Sequence, residues 1–274
     1  MATVNTNPGA LIALQNLNAT NRDLEIVQNR LNTGLEVASA KDDGAIFAIA
    51  QNQRADVASL KVVGQSLDRA VSAVDVALAA GEAVSDLLVE LKEKALAASD
   101  SSLDASSRAA YAQDFAALRD QITQVISNAE FNGINLLDNS TAGIVALASA
   151  DGQSTITVAD EDFRLSGSII TITAGSTIGT QTLASAAITA LETSLNNVNQ
   201  ALARLGTGSK TLEIQSTFNV KVSDALVEGI GNLVDADLAR ESANLQALQV
   251  KQQLGVQALG IANQAPQTIL ALFG

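Results

Sequence analysis

The amino-acid sequence predicts a mainly α-helical protein. Its N- and C-terminal halves are expected to form a long antiparallel helical bundle or coiled coil, with a small β-hairpin region in mid-chain. The chain of 274 residues holds only two prolines, Pro8 and Pro266, so its interior can run in long uninterrupted helices. Over most of the chain, apolar residues recur in steps of four and three, the spacing of helices that pack on one another. Only residues 141–182 depart from this pattern.

The first predicted helix covers residues 3–35 and carries leucines seven residues apart at Leu17, Leu24 and Leu31. A hinge is predicted at 38–44. The neighbouring carboxylates Asp42 and Asp43 are interpreted as helix-start charges. They do not resemble a calcium site, because no Asp/Asn-rich loop ending in a glutamate ligand follows them.

The second predicted helix begins near Ile46 and keeps its heptad pattern to Leu88, a length of roughly 60 Å at about 1.5 Å per residue. A turn is predicted at 99–102. Asp104 follows as the N-cap of a third helix, which is expected to end near Asn132-Gly133, where glycine offers a left-handed stop.

The middle of the chain favours strands, because β-branched and polar residues alternate there among Gly, Ser and Thr. Two to four strands are predicted, including 154–158 and 170–173, with a hairpin turn at Asp151-Gly152. Helical spacing resumes at Leu191 and continues into a C-terminal helix with a leucine stripe of its own. The members of that stripe are Leu238, Leu245, Leu248 and Leu259.

Composition excludes several functions. The net charge of −13 and the absence of a basic patch argue against nucleic acid and against anionic membrane surfaces as partners. The chain has neither His nor Cys, which excludes Ser-His-Asp and Cys-His catalysis, disulfides, and metal sites built on those ligands. The carboxylates are spread over solvated helix faces. No catalytic residue, metal site or cofactor is therefore predicted.

One motif superficially resembles a phosphate-binding loop. In residues 206–211, however, Ser209 stands where glycine should precede the lysine, and a helical pattern rather than a strand comes before it. We therefore predict no nucleotide site there.

The two terminal helices are expected to pack between subunits. Asn and Gln interrupt their stripes, and no other segment of the chain is evidently left over to cover them. The candidate assembly residues are Leu17, Leu24, Leu31, Leu238, Leu245, Leu248 and Leu259.

Several motifs resemble the signatures of bacterial flagellins. The matching N-terminal segments are 6–17 (TNPGALIALQNL), 31–35 (LNTGL) and 39–44 (SAKDDG), and 131–133 (FNG) is followed by a leucine pair at 136–137. The matching C-terminal segments are 235–241 (DADLARE) and 262–267 (ANQAPQ). Together they cover roughly residues 1–140 and 185–274.

This resemblance implies a structural subunit that polymerises into the bacterial flagellar filament and serves motility. Residues 1–43 and 232–274 would form the inner coiled-coil domain that lines the filament channel. Residues 44–140 and 183–231 would form a helical bundle domain, with 141–182 as a small β-rich insert at its tip. The outer variable domains of longer flagellins are expected to be absent.

The resemblance also implies partners and a location. The chain would form a helical homopolymer, alone or mixed with other flagellins. It would meet the flagellar export apparatus and its chaperone, the filament cap and the hook-associated proteins. Residues 1–21 show no basic start and no continuous apolar core, so secretion to the extracellular filament without a cleavable signal peptide is expected.

Two alternatives remain at this stage. A hook–filament junction protein has similar termini, although the short middle and the 262–267 motif favour the filament subunit. A secreted adhesin or binding module would use the β-region as its binding face. Because flagellins of this kind are often O-glycosylated, we also name candidate acceptors in that region, which are Ser168, Thr171, Ser176 and Thr177.

Overall fold

The computed structural model describes the backbone of residues 6–270 and the side chains of residues 6–264. Its helices are α1 (Pro8–Thr33), α2 (Gly44–Ala98), α3 (Ala105–Asn128), α4 (Gln181–Val234) and α5 (Leu238–Leu270). Its strands are β1 (Glu130–Phe131), β2 (Ile134–Asn135), β3 (Ile144–Leu147) and β4 (Thr155–Val158). The predicted mainly helical class is confirmed. Among the described residues, no helix combines the length and apolarity needed to cross a membrane.

The chain divides into two compact units. The terminal unit consists of residues 1–55 and 225–274, and the bundle unit of residues 56–224. The bundle unit holds the large hydrophobic core, to which α2, α3, α4 and the segments between α3 and α4 contribute. Its largest fully buried side chains include Leu88 of α2, Phe115 of α3 and Leu191 of α4, together with Phe163 from the irregular segment after β4.

Carboxylates lie at the starts of α2 and α3, as the sequence suggests. Asp104 caps α3, since its Oδ1 accepts hydrogen bonds from the backbone N–H groups of Ser106 (2.8 Å) and Ser107 (2.9 Å). Asp43 Oδ1 accepts from the N–H groups of Ala45 (2.9 Å) and Ile46 (3.0 Å) at the start of α2. Both carboxylates satisfy N–H groups that a helix start leaves unpaired. The predicted cap at Asp104 and the helix-start role of Asp43 are confirmed. The same role for Asp42 is wrong, because its Oδ2 accepts from the N–H groups of Ala38 and Ser39 in the segment before α2.

The end of α3 differs from the prediction. The helix ends at Asn128 and not at Asn132-Gly133, which instead form the turn of the β1–β2 hairpin with φ of 52° and 81°. Two successive left-handed residues define a type I′ turn, for which Asn-Gly is the preferred pair. The buried Asn135 secures this ending, because its Nδ2 donates to the Ile126 carbonyl at 2.7 Å.

The mid-chain strands are confirmed in part. β3 and β4 form an antiparallel hairpin, which includes the predicted strand at 154–158 and carries a positive φ of 71° at Gly152. The predicted strand at 170–173 is wrong, since beyond one isolated bridge between Leu165 and Ile170 this segment has no strand partner. Its backbone bonds to α4 instead, where the N–H of Thr171 donates to Ser194 Oγ at 3.0 Å. Period-two burial here reflects packing on a helix.

The segment 206–211 lies inside α4 and is fully helical. A helix interior offers no loop of free N–H groups to a phosphate, which agrees with the rejection of a nucleotide site. Gly208 serves packing. A Cβ at this position would lie 2.9 Å from Val158 Cγ1, so glycine lets the β3–β4 hairpin approach α4 closely.

Close packing of α2 on α4 depends on Gly81, where a Cβ would lie 2.7 Å from Leu202 Cδ2 and 3.4 Å from Phe163 Cε1. We expect Gly81→Val to lower the free energy of unfolding by about 1–3 kcal/mol, the usual loss for overpacking a core. Gly206→Val in α4, where a Cβ meets nothing within 4 Å, is the matched control and should change it by less than about 0.5 kcal/mol. Urea unfolding followed by circular dichroism measures both values, and equal losses would contradict the packing role.

The Asp104 cap also predicts a pH effect. Hydrogen bonds from the Ser107 hydroxyl and the Ser107 N–H hold the pKa of this carboxyl below its ordinary value of 3.8. A carboxyl with a depressed folded-state pKa adds stability above its unfolded pKa and loses it as the pH falls through the folded value. We expect the melting temperature to fall less between pH 6 and pH 3 in Asp104→Asn than in the parent chain. An equal fall in both would show that the cap carries no charge effect.

Candidate assembly surface

In the terminal unit, α1 and α5 pack against each other as an antiparallel pair, hereafter the terminal helix pair. Two amides tie them together. Asn7 Nδ2 donates to the Ala262 carbonyl at 2.7 Å, and Gln252 Nε2 donates to Asn21 Oδ1 at 2.7 Å. Partners further along α1 meet positions earlier in α5, which defines the antiparallel direction.

A small residue permits close approach of the two helices. A Cβ at Gly255 of α5 would lie 3.2 Å from Leu17 Cδ1 of α1, so the leucine packs over the glycine backbone. Small residues on one helix commonly let a large side chain on the other approach the axis.

A charged pair lies within this otherwise apolar and amide-rich contact. Glu241 of α5 has a side chain only 3% exposed, and its Oε1 lies 3.3 Å from Arg30 Nη1 of α1. Arg30 also lies 3.8 Å from Glu36. A carboxylate buried to this degree requires a cationic partner, so Arg30 and Glu241 fix the alignment of the pair at this end.

Beside this ion pair, backbone bonds connect the segment after α1 to the end of α4. The N–H of Glu36 donates to the Val234 carbonyl at 2.7 Å, and the N–H of Ala236 donates to the Gly34 carbonyl at 2.9 Å. Val37, Ala50 and Val234 form a small buried cluster at this place. It anchors one end of the terminal helix pair.

The structure brings the candidate assembly leucines onto this pair. Six of them, Leu17, Leu24, Leu31, Leu245, Leu248 and Leu259, are half-buried, and Leu238 is 48% exposed. The expectation that no segment of the chain covers the two stripes is wrong, because each terminal helix partly covers the other. The heptad leucines therefore serve first as contacts within the chain. Their contribution between subunits stays a prediction.

A second set of large apolar side chains remains exposed around the pair, and this set is hereafter called the outer apolar face. Its members are 43–71% exposed and comprise Leu11, Ile12, Leu14, Ile26, Val250, Leu254, Val256 and Ile261. No charged side chain occurs in residues 8–21 or in residues 252–264. Sequence reasoning missed most of these residues because they lie off the heptad. The long uncharged run at each end is a signal for six of them, but not for Ile26 and Val250, which lie beside Glu25 and Lys251.

The terminal helix pair itself contains little buried apolar surface. Among the described side chains of α1 and α5, only Val27 and Glu241 are buried. Helices of this length draw most of their stability from tertiary packing. Both observations indicate a structure that is completed by contacts with other molecules.

The candidate glycosylation residues all lie in the irregular segment between β4 and α4. Thr171 Oγ1 donates to the Ala190 carbonyl at 3.0 Å, and Ser176 Oγ accepts from the N–H of Thr173 at 3.1 Å, so both hydroxyls support the local fold. Ser168 and Thr177 are exposed, and their hydroxyls make no hydrogen bond within the described part of the chain. Among the four candidates, these two hydroxyls are both exposed and free of hydrogen bonds to the described residues.

Comparison with known proteins agrees with this architecture. Residues 4–142 match the bacterial flagellin N-terminal helical region, and residues 188–273 match the bacterial flagellin C-terminal helical region. The chain is 53% identical to flagellin FljK of Caulobacter vibrioides over 270 residues, 98% of both proteins. It is 35% identical to a flagellin of Brucella melitensis over 283 residues, covering 100% of this chain and 99% of the relative.

Two solved structures share the fold. The crystal structure of Bacillus cereus flagellin matches with a TM-score of 0.50 and 21% identity, over 56% of this chain and 88% of that one. A protein described as a flagellar hook-associated protein from Vibrio parahaemolyticus matches with a TM-score of 0.59 and 14% identity, over 71% of this chain and all of that one. At these identities the likeness concerns the fold alone. The matched regions and relatives cover nearly the whole sequence, and the chain therefore belongs to the bacterial flagellins, the structural proteins that form the flagellar filament and serve motility.

Proposed function

We propose that the outer apolar face of the terminal helix pair is the surface through which this subunit polymerises. The observation that carries the proposal is the exposure of eight large apolar side chains on two helices that bury little between themselves. Exposed apolar surface of this extent marks an interaction site, because it costs free energy in water. Six of the eight side chains lie in the uncharged runs 8–21 and 252–264, so a second apolar surface can cover this part of the face without burying an unpaired ion.

In this proposal the two sets of apolar residues have separate roles. The seven heptad leucines hold α1 and α5 together and contribute to subunit contacts where they remain exposed. The outer apolar face makes the larger part of those contacts. Residues 1–43 and 232–274 then form the inner, channel-lining domain of the filament. Residues 44–140 and 183–231 form the helical bundle domain, with residues 141–182 as the small β-rich insert at its tip.

The partners follow from this role. The first is a second copy of the chain, alone or mixed with other flagellins. The export apparatus and its chaperone would receive the subunit before assembly, when the outer apolar face is uncovered. The filament cap and hook-associated proteins would contact the same terminal helices at the two ends of the filament, outside the cell.

Cysteine labelling tests the assembly surface directly, because the chain contains no cysteine. Val256→Cys places one thiol on the outer apolar face, and Val145→Cys on β3 is the matched control, with native exposures of 56% and 60%. We expect a bulky maleimide to label both variants as monomers and only Val145→Cys in filaments. Equal labelling of the two variants in filaments would contradict the proposal.

The exposed hydroxyls of Ser168 and Thr177 give a separate prediction. If the native filament is O-glycosylated in this region, we expect the sugar on Ser168 or Thr177, because Thr171 and Ser176 use their hydroxyls in the fold. Peptide mass mapping of filaments from the native host locates the modification. Sugar on Thr171, with Ser168 and Thr177 unmodified, would show that hydrogen bonding of the hydroxyl in the folded chain does not select the acceptor.

A further inference from the structure

The bundle unit presents two exposed helix faces that its core does not use. The first lies on α4 and is called here the basic-apolar face. It consists of Lys210, Ile214, Thr217, Phe218 and Lys221, which share one side of the helix at spacings of three, four and seven. Ile214 is 62% and Phe218 57% exposed, and Glu213 borders the shallow groove between these side chains.

This composition is unusual for an acidic chain. Only 16 of the 274 residues are Lys or Arg, against 29 Asp and Glu. Neither Lys210 nor Lys221 forms a salt bridge within the described residues. Two unpaired cations beside an exposed aromatic ring favour a partner that is both apolar and acidic.

The second face lies on α2 and is called here the acidic-apolar face. It consists of Glu82, Asp86, Val89, Glu90, Glu93 and Leu96, again on one side of a helix. Val89 is 45% and Leu96 62% exposed. All four carboxylates are exposed, and none joins a salt bridge in the part of the chain that the structure describes. It is thus the chemical complement of the basic-apolar face.

We propose that the basic-apolar face of one subunit docks on the acidic-apolar face of a second copy of the chain. Opposite charge on two apolar helix faces supplies both attraction and register. This inference rests on polymerisation as the function of the chain, but it is independent of the outer apolar face. It adds a second subunit contact, within the bundle unit.

The two faces cannot pair within one chain. Gly81 lies beside Leu202 and Gly64 beside Asn219, so α2 and α4 run antiparallel and Val89 lies near the level of Ser194. The basic-apolar face is centred some 20 residues further along α4, about 30 Å away at about 1.5 Å per residue. Each face must therefore find its complement on another molecule.

A contact between two different faces of identical subunits has a consequence for assembly. Such a heterologous contact continues from copy to copy and produces an open polymer unless the rotation closes a ring. Because the faces are staggered along the bundle, neighbouring copies would also be displaced along its axis. A stagger of this kind suits a filament.

Charge reversal tests the docking. The double variant Lys210→Glu/Lys221→Glu makes both faces acidic. Glu90→Lys/Glu93→Lys places two lysines on the acidic-apolar face, which cancel the charge of its remaining carboxylates, Glu82 and Asp86. We expect each to raise the critical concentration for polymerisation about ten-fold or more, since like charges oppose one another across the contact in the first variant and the attraction between the faces is lost in the second. The quadruple variant carries both reversals, restores the net charge of −13, and is expected to polymerise nearly as the parent does.

The matched control is Lys61→Glu/Arg69→Glu, which makes the same charge change at exposed cations of α2 outside both faces. It should polymerise as the parent does, with sedimentation and electron microscopy as readouts. Normal filaments from the two face variants, or no rescue in the quadruple variant, would overturn this inference. Failure of the parent chain itself to polymerise would instead contradict the proposed function.

A crosslink gives a second, structural readout. In Thr217→Cys/Val89→Cys, the two thiols are too far apart to join within one chain but would meet across the proposed contact. We expect oxidised filaments of this variant to yield a ladder of covalent oligomers on denaturing gels. The two single-cysteine variants should yield none. Absence of the ladder from intact filaments of the double variant would refute the docking.

Discussion

Replacing Val256 by aspartate is expected to abolish polymerisation while leaving the monomer folded. Val256 is 56% exposed on α5, so the carboxylate meets water in the monomer and disturbs no packing. In the filament, the proposed contact would bury this charge against apolar side chains with no cation nearby, because residues 252–264 carry no charge. Burying an unpaired charge costs at least about 3 kcal/mol, which corresponds to a rise in critical concentration of about 100-fold or more.

The matched control is Val145→Asp, the same replacement at a valine that is 60% exposed on β3. It should polymerise as the parent does, whereas both variants should give the circular dichroism spectrum of the parent monomer. Leu245→Asp completes the series. Because Leu245 is half-buried in the terminal helix pair, this variant should lose both polymerisation and helical signal, with the bundle unit still folded. Normal filaments from Val256→Asp would remove the outer apolar face from the assembly surface.

The helices could be predicted from sequence because their signals are local and repeat many times. A heptad over more than forty residues of α2 gives the same answer at every turn. An N-cap such as Asp104 acts on N–H groups two and three residues away. The sequence prediction was wrong where a local signal is compatible with two structures. Asn132-Gly133 can end a helix or turn a hairpin, and the hydrogen bond from buried Asn135 to Ile126 decides between them.

The strand predicted at 170–173 failed for a different reason. Alternating burial of Ile170 and Ile172 shows that one side of the segment faces a core, but not what lies there. The partner is α4, through Ser194 and Ala190, some twenty residues later in the chain. A pattern of period two cannot distinguish a strand partner from a helix surface.

The sequence predicted that the assembly surface lies on the two terminal helices, but not which of their side chains are exposed. Heptad leucines showed that α1 and α5 need partners, but periodicity does not say whether the partner is in the same chain. The buried Glu241 with Arg30 could not be predicted, because a charged residue in a polar run reads as solvent-exposed until its partner is known. The outer apolar face emerged only when exposure could be assigned side chain by side chain.

The largest effect expected in the monomer is a difference in hydrogen exchange between the two units. The terminal helix pair buries Val27 and Glu241 among its described side chains, whereas α2 alone contributes Leu67, Leu88 and Leu91 to the fully buried core. Local opening of a helix costs little when few apolar contacts are lost. We therefore expect amides near Leu24 and Leu245 to exchange rapidly in the monomer, and those near Leu88 to exchange only through global unfolding.

Polymerisation should slow amide hydrogen exchange strongly in the terminal helix pair alone. Binding to the folded form suppresses opening in proportion to the free energy of the contact, so covering the outer apolar face should slow exchange near Leu24 and Leu245 by about 100-fold or more. Leu88 is the internal reference, since its side chain is already fully buried in the subunit and its rate should change far less. Exchange measured by mass spectrometry on monomers and filaments compares all three places in one sample. The contrary result is equal protection near Leu24, Leu245 and Leu88 in the monomer. It would show that α1 and α5 are stable without assembly, and that the terminal helix pair needs no subunit contacts to fold.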